Sequence, residues 1–465
     1  MRKFWSKTAG LVLASVALLS ACGGGGGETA STPLAPFCNP GTAFVGLSYP
    51  NTSSAANAGL AVSPTLTGLS AACASSSASY SLASGPLPTG VSLNASTGVI
   101  SGTPTVQGSF PFSVKVVVAG YTGSVTSQLR TITITPPPPA PVVWTPKTTN
   151  FGAGTALTLS SYKVATIGNN LHLVVSNLNS STSKYVVSHR RSTDGGATWV
   201  DDAILLAGFS LRNFALVSDG TSLYVIGGSD SDAAASQTYS NKVWKHTPGT
   251  TASTAGVWTA VTSTLWTTGG REEVAAAYNG AGKLFVYGGY GAGGIFNGVL
   301  SSDNGGLNWT PAPQDTTSYN LTQNCLVANG ATLYSFGGDG NAPGSTDFME
   351  QKIIQKSTDS GSTWTVINST AINSPIRGSC AAIGTKPYYA GGSSTDTSGV
   401  SFVSRAVLQS GNNGTTWFTD AFSTVFSFRD FHGMTVLANK LIVLGGYGDN
   451  TTPRRTDVIE GTPSP

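Results

Sequence analysis

The sequence predicts an all-β protein in two parts, a β-sandwich followed by a six-bladed β-propeller that an N-terminal strand closes. Three observations carry this reading. The 465 residues include 58 Gly and 24 Pro, a composition that places many tight turns between short strands. Tryptophan recurs at Trp144, Trp199, Trp258, Trp309, Trp364 and Trp417, every fifty-odd residues. An apolar strand ending in Gly-Gly returns between them, as "LYVIGG", "LFVYGG", "LYSFGG", "PYYAGG" and "LIVLGG". Charge adds an exclusion: only 10% of residues are charged and the net charge is +3, so no nucleic-acid partner is expected.

The chain opens with "MRKFWSKTAGLVLASVALLSAC", a basic start, an apolar run too short to span a bilayer, and small residues before a cysteine. Leu19-Ser20-Ala21-Cys22 resembles the lipobox of bacterial lipoproteins. The resemblance implies that residues 1–21 are a signal peptide, that Cys22 is acylated, and that residues 22–35 are a glycine-rich tether from a membrane anchor. Gly23 fits sorting to the outer membrane, so the expected location is the bacterial cell envelope, in the outer membrane or on the surface. Four further cysteines would then sit in an oxidising compartment. Pairing within each part joins Cys38 to Cys73 and Cys325 to Cys380.

Residues 36–135 read as short strands separated by turn residues, ending in the alternating runs "FPFSVKVVV" and "RTITIT". The stretch "LPTGVSLNASTGVISGTPTVQGSFPFSVKV" resembles bacterial immunoglobulin-like and dystroglycan-type cadherin-like domains, which implies an immunoglobulin-like sandwich serving as spacer or adhesive module. It has no acidic cluster of the kind calcium needs. Residues 136–141 form a proline-rich linker.

From Val142 to Pro465 each repeat reads as strand a, strand b ending in Gly-Gly, a polar loop, strand c, a tight turn and strand d with its tryptophan. Six such units make a propeller. The last unit lacks a tryptophan strand, whereas "PVVWTP" at 141–146 is a tryptophan strand with no partners before it. Pairing the two closes the ring and removes its open edges. The Gly-Gly strands resemble kelch repeats. The turns "STDGGATW", "SSDNGGLNW", "STDSGSTW" and "SGNNGTTW" resemble the Asp-box of sialidases and other propellers. Glycine, Ser and Asp or Asn in these turns are explained by folding alone. Asp194, Asp303 and Asp359 are therefore read as structural.

The opposite face, at the starts of the innermost strands, is where a ligand is expected. Alignment on Gly-Gly brings Arg212, Arg271, Arg377 and Arg429 to comparable places, 15, 17, 14 and 16 residues before the first glycine. Together they would ring the channel mouth as ligand-binding residues, with Glu273 as internal partner. Like charges about 10 Å apart repel by roughly 1–2 kcal/mol per pair, so such a ring needs counter-charges or an anion. Guanidinium forks suit a carboxylate or sulfate on a sugar.

Sialidases pair an arginine triad with a tyrosine and glutamate. Here Tyr290, Tyr447 and Glu273 are the candidates, and the Phe-Arg-Ile-Pro signature is absent. His172, His189, His246 and His432 have no metal-ligand spacing, so no metal is expected. No phosphate loop, Gly-x-Ser-x-Gly elbow or His-Glu-x-x-His helix is present, and no cofactor is implied. The long polar loops on a rigid scaffold suit recognition. The expected function is that of an exported, lipid-anchored binding or adhesion protein recognising a glycan or a cell-surface protein. The alternative is a sialidase-like hydrolase or kelch-type epimerase acting on an acidic sugar.

Overall fold

The structure is a computed structural model. It describes residues 46–463 except 68–77, 120–122, 149, 152–157, 180–183, 203–210, 231–236, 250–254, 263–264, 267–268, 314–317, 370–371, 374, 396–400, 411, 413, 421–422 and 449–454. The signal peptide, the tether, Cys22 and the Cys38–Cys73 pair lie outside the described residues. Every regular element described is a strand, and the chain divides into two compact units between Thr135 and Pro136.

The first unit is an immunoglobulin-like sandwich. Strands Thr52–Ala55, Arg130–Thr135, Gly108–Val118 and Ala78–Ser84 lie in one sheet, with Thr52–Ala55 parallel to Arg130–Thr135. Strands Leu60–Val62, Ile100–Gly102 and Val91–Leu93 form a second sheet. Alternation along Gly108–Val118 buries Phe112, Val114 and Val116 against Ile100, Ile132 and Tyr49. Tyr49 also donates its hydroxyl to Gly98 O at 2.7 Å, which ties the Thr-Gly turn to the core.

The second unit is a six-bladed propeller. Its innermost strands are Thr158–Ile167, Ala215–Ser218, Ala275–Tyr278, Cys325–Asn329, Ser379–Ile383 and Gly433–Leu437, each in contact with the next around the ring. The last blade orders Val143–Thr148, Arg455–Thr462, Lys440–Gly446 and Gly433–Leu437, so the N-terminal strand does close the ring. Trp144 packs on Phe426 with ring centroids 4.9 Å apart. Val142 N donates to Asp420 Oδ2 at 2.8 Å, which fastens the entering strand to blade 5.

The Gly-Gly pairs join blade to blade. In blade 3, Gly288 and Gly289 have φ of 72° and 97°, a region glycine reaches without strain. A Cβ on Gly288 would stand 2.2 Å from Leu321 O of the next blade, and Gly289 N donates to that same carbonyl at 2.8 Å. The same bond recurs from Gly228 to Arg271 O, from Gly338 to Pro375 O and from Gly392 to Arg429 O.

The tryptophan turns are internally saturated. Asp194 Oδ1 accepts from Ser192 Oγ and Thr198 N, Oδ2 accepts from Thr198 Oγ1, and Trp199 Nε1 donates to Gly196 O. Partial burial works against ionisation, but these bonds outweigh it and hold Asp194 at about 2. In the second turn the role falls to Asn304, which accepts from Ser302 Oγ and Asn308 N, while Asp303 pairs with Lys283 at 3.1 Å.

Candidate functional site

In five consecutive blades the residue that leads into the innermost strand adopts the left-handed backbone conformation: Asn213, Glu273, Gln323, Arg377 and Phe431, with φ from 50° to 60°. Their peptides link into a belt. Glu273 N donates to Asn213 O at 2.7 Å, Gln323 N to Glu273 O at 3.2 Å, Arg377 N to Gln323 O at 3.3 Å and Phe431 N to Arg377 O at 2.9 Å. With backbone groups satisfied this way, the five side chains are left to line the channel mouth, where Lys163 of blade 1 joins them. An open cavity of about 490 Å³ at the mouth is walled by Tyr185, Arg212, Glu273, Arg377, Phe431 and Tyr447 among others. Beyond it the channel is lined by small and apolar side chains, by Cys325 and Cys380, and by Lys163, Asn324 and His432. These two cysteines form a disulfide between adjacent innermost strands, with Cα atoms 5.9 Å apart.

Charges of both signs meet at this mouth. Glu273 accepts from Thr322 Oγ1 at 2.8 Å and Gln323 Nε2 at 2.9 Å, and Arg377 Nε donates to Gln323 Oε1 at 2.8 Å. Burial nonetheless pushes the Glu273 carboxyl up. The Lys163 ammonium is pulled down by burial, with Glu273 acting in the opposite direction. Asp339 is pushed up to about 6, first by burial and then by Glu350, while Arg377 opposes the shift. Glu272 is buried and saturated, accepting from Asn213 Nδ2, Ser229 Oγ and Gln237 Nε2.

The four arginines do not form one ring. Arg377 is a belt residue and stands 4.7 Å over the Phe431 ring. Arg212, one residue before the belt, reaches the cavity with its Nη2 3.9 Å from Glu272 Oε2. Arg271 and Arg429 are two residues before the belt, and their side chains pack into the loops of their own blades. Arg271 lies 4.9 Å from the Trp266 ring and 3.8 Å from the Phe296 ring, and burial draws it down to about 10. Arg429 is fully buried, paired with Asp457 at 3.0 Å and donating to Gly445 O at 3.2 Å. Of the tyrosines, Tyr447 lines the cavity, whereas Tyr290 stands edge-on to Tyr239.

Asn213, Gln323, Phe431 and Lys163 were not legible as mouth residues from their types. The signal available was position: the belt residue falls 14 residues before the first glycine in four blades and 15 in the blade of Glu273.

Three of the four histidines also depart from expectation. His432 is buried beneath the belt, edge-on to Phe426. His172, His189 and His246, however, come together between blades 1 and 2, with one ring nitrogen of each within 4.8 Å of the others. Spacing along the chain hid this because the three sit on three strands of two blades.

Residues 44–135 match the family model described as "Putative Ig domain". No curated protein matches the chain. Among solved structures, that titled "Structure of YjhT" is similar at a TM-score of 0.52 and 15% identity, over 67% of this chain and 99% of that one. An α-L-arabinanase from Penicillium chrysogenum, complexed with arabinobiose, aligns at a TM-score of 0.42 and 12% identity, over 70% of this chain and 99% of its own. An α-L-arabinofuranosidase from Fusarium graminearum gives 0.42 and 12%, over 69% and 97%. The chain is thus an immunoglobulin-like domain followed by a propeller whose fold is shared with YjhT.

Proposed function

We propose that the propeller is a recognition module that binds an acidic saccharide at the channel mouth, in a protein carried on the cell envelope by a lipid at Cys22. One observation supports this above the rest: a cavity of about 490 Å³ that combines two arginines, Arg212 and Arg377, with the aromatic rings of Tyr185, Phe431 and Tyr447. Aromatic faces accept the apolar faces of sugar rings, and guanidinium groups grip carboxylate or sulfate oxygens in pairs. Arg377 is pre-positioned by the Gln323 bond and the Phe431 ring, so little freedom is lost when it binds.

The test is a screen of acidic and neutral saccharides against the purified protein, followed by titration of Arg377→Ala. Removing a charge-assisted bond should weaken binding by about 1.5–3 kcal/mol, a factor of ten or more. Absence of any saccharide binding, or equal affinity of the variant, would overturn the reading.

A second reading rests on Glu273, whose raised carboxyl at the cavity beside Lys163 suits proton transfer to a bound sugar. Turnover or epimerisation of an acidic sugar by the parent and not by Glu273→Gln would make the protein an enzyme instead.

A further inference from the structure

His172 lies on the second strand of blade 1, His189 on the third and His246 on the third strand of blade 2. Asp202 follows the fourth strand of blade 1. Their donor atoms converge. His172 Nδ1 is 2.9 Å from His189 Nε2. Asp202 Oδ2 stands 3.8 Å from His172 Nδ1 and 3.9 Å from both His189 Nε2 and His246 Nε2. All three histidines are at most 1% exposed, and the Asp202 side chain is 2% exposed. The rings of His189 and His246 pack on Trp258 at 5.6 and 5.0 Å, which closes the site to solvent.

As a hydrogen-bond network this cluster is poor. Neither ring nitrogen of His246 has a hydrogen-bond partner among the described residues, nor do His172 Nε2 and His189 Nδ1. The Asp202 contacts to the imidazoles, at 3.8–3.9 Å, are too long for hydrogen bonds. Buried polar groups ordinarily find partners. One proton shared between His172 Nδ1 and His189 Nε2 makes a single bond, which leaves His246 without a hydrogen bond and Asp202 Oδ2 bonded to none of the three imidazoles. Further protonation is a costly answer, because imidazolium charges would be buried together beside Arg191, whose Nε is 3.8 Å from the same Asp202 oxygen.

We propose that His172, His189, His246 and Asp202 bind a structural zinc ion that clamps blade 1 to blade 2. The ligand types are those zinc takes, and its bonds of about 2.0–2.1 Å at tetrahedral angles separate ligand atoms by roughly 3.4 Å. The donor separations, from 2.9 Å up to 4.8 Å at most, span that distance, so shifts of about an ångström or less complete the shell. Oδ2 is equally far from all three nitrogens, which fits a tetrahedron better than the square-planar field that copper(II) prefers. Four protein ligands leave no open position, so the site is structural and not catalytic.

The surroundings are built to match. Gly256 N donates to Asp202 Oδ1 at 3.0 Å, orienting the carboxylate so that Oδ2 faces the histidines. A Cβ at position 256 would lie 2.0 Å from His246 Nε2, so only glycine leaves that nitrogen its place. Blade 1 is also the blade whose second strand lacks the Gly-Gly pair, reading "LHLVVSN" instead. At its junction with blade 2 the Ser176 hydroxyl takes the place of the glycine amide and donates to Leu211 O at 2.7 Å, and a metal clamp acts at the same junction.

The experiment uses the full chain, stripped with a chelator and dialysed. Elemental analysis after adding excess Zn²⁺ and removing the unbound ion should return one zinc per chain, and the melting temperature should rise by about 5 °C or more. Co²⁺ in its place should give the intense visible bands of a tetrahedral ion. His246→Ala should abolish both the stoichiometric binding and the shift. Should that variant fail to fold, Asp202→Asn serves in its place, with tetrahedral Co²⁺ bands weakened or lost. A parent protein that retains no zinc and melts at the same temperature with and without it would overturn the proposal, whatever the variants do.

Discussion

Gly288 has no side chain to give up, yet its replacement strains the propeller. Its left-handed φ and the carbonyl of Leu321 at 2.2 Å from a would-be Cβ leave no room for alanine. Gly288→Ala should lower stability by about 1–3 kcal/mol, read as a fall in denaturant midpoint at unchanged slope. Asp339 makes a different kind of prediction. Its carboxyl is raised from the ordinary 3.8 to about 6, so the folded state holds that proton to higher pH than the unfolded chain does. The folded protein therefore binds more protons between these values, and stability falls as pH rises from 4 to 6. Melting temperatures across that window should decline in the parent, and less steeply in Asp339→Asn. Glu273, raised in the same direction, leaves part of the slope in place.

At the scale of elements, the strand Val143–Thr148 decides whether the ring is closed. It pairs along its length with Arg455–Thr462, more than three hundred residues away, and inserts Trp144 against Phe426. Trp144 is 6% exposed, and truncating a buried tryptophan to alanine costs about 3–5 kcal/mol. Trp144→Ala should therefore melt well below the parent, and a chain lacking Val143–Thr148 should expose the third strand of blade 6 and associate through it. Gel filtration and thermal denaturation check the two expectations. The tryptophan turns carry less individually. Asp194 and its neighbours satisfy one another without reaching the cavity, so Asp194→Ala should weaken the fold and leave saccharide binding at Arg377 unchanged.

On the scale of the whole molecule, the blade register sorts function from scaffold. The ends of the second strands and the starts of the innermost strands share one face, where the belt and the cavity lie, while the tryptophan turns sit at the other end of the same strands. Ligand contacts and turn chemistry can thus change independently. The proposed lipid at Cys22 belongs to this scale as well. Cys22→Ala should leave the propeller's melting temperature as it was and shift the protein from the membrane fraction to the soluble one, with loss of fatty-acid labelling at that residue.

Much of the architecture was written in local chemistry. Gly-Gly after an apolar strand, a Ser-x-Asp turn before a tryptophan, and a tryptophan strand standing without partners at 141–146 each specify a backbone event in a few residues, and their period counts the blades. The sandwich was equally readable from alternation, because strands with one buried face repeat every second residue. The disulfide between Cys325 and Cys380 followed from pairing the cysteines within each part of the chain. The site was less legible. Alignment on Gly-Gly placed four arginines at 14 to 17 residues before the glycine as though these offsets were equivalent, but the chain turns at the left-handed belt residue, so Arg377 at the belt and Arg212 one before it reach the mouth while Arg271 and Arg429, two before it, pack within their own blades. Arg377 holds that position and Arg429, two residues before it, is sealed inside its blade with Asp457. His172, His189, His246 and Asp202 lie further still beyond sequence reasoning. They come from strands of two blades whose approach is set by ring closure and by the packing of Trp258, and no spacing along the chain encodes a distance that only the tertiary fold creates.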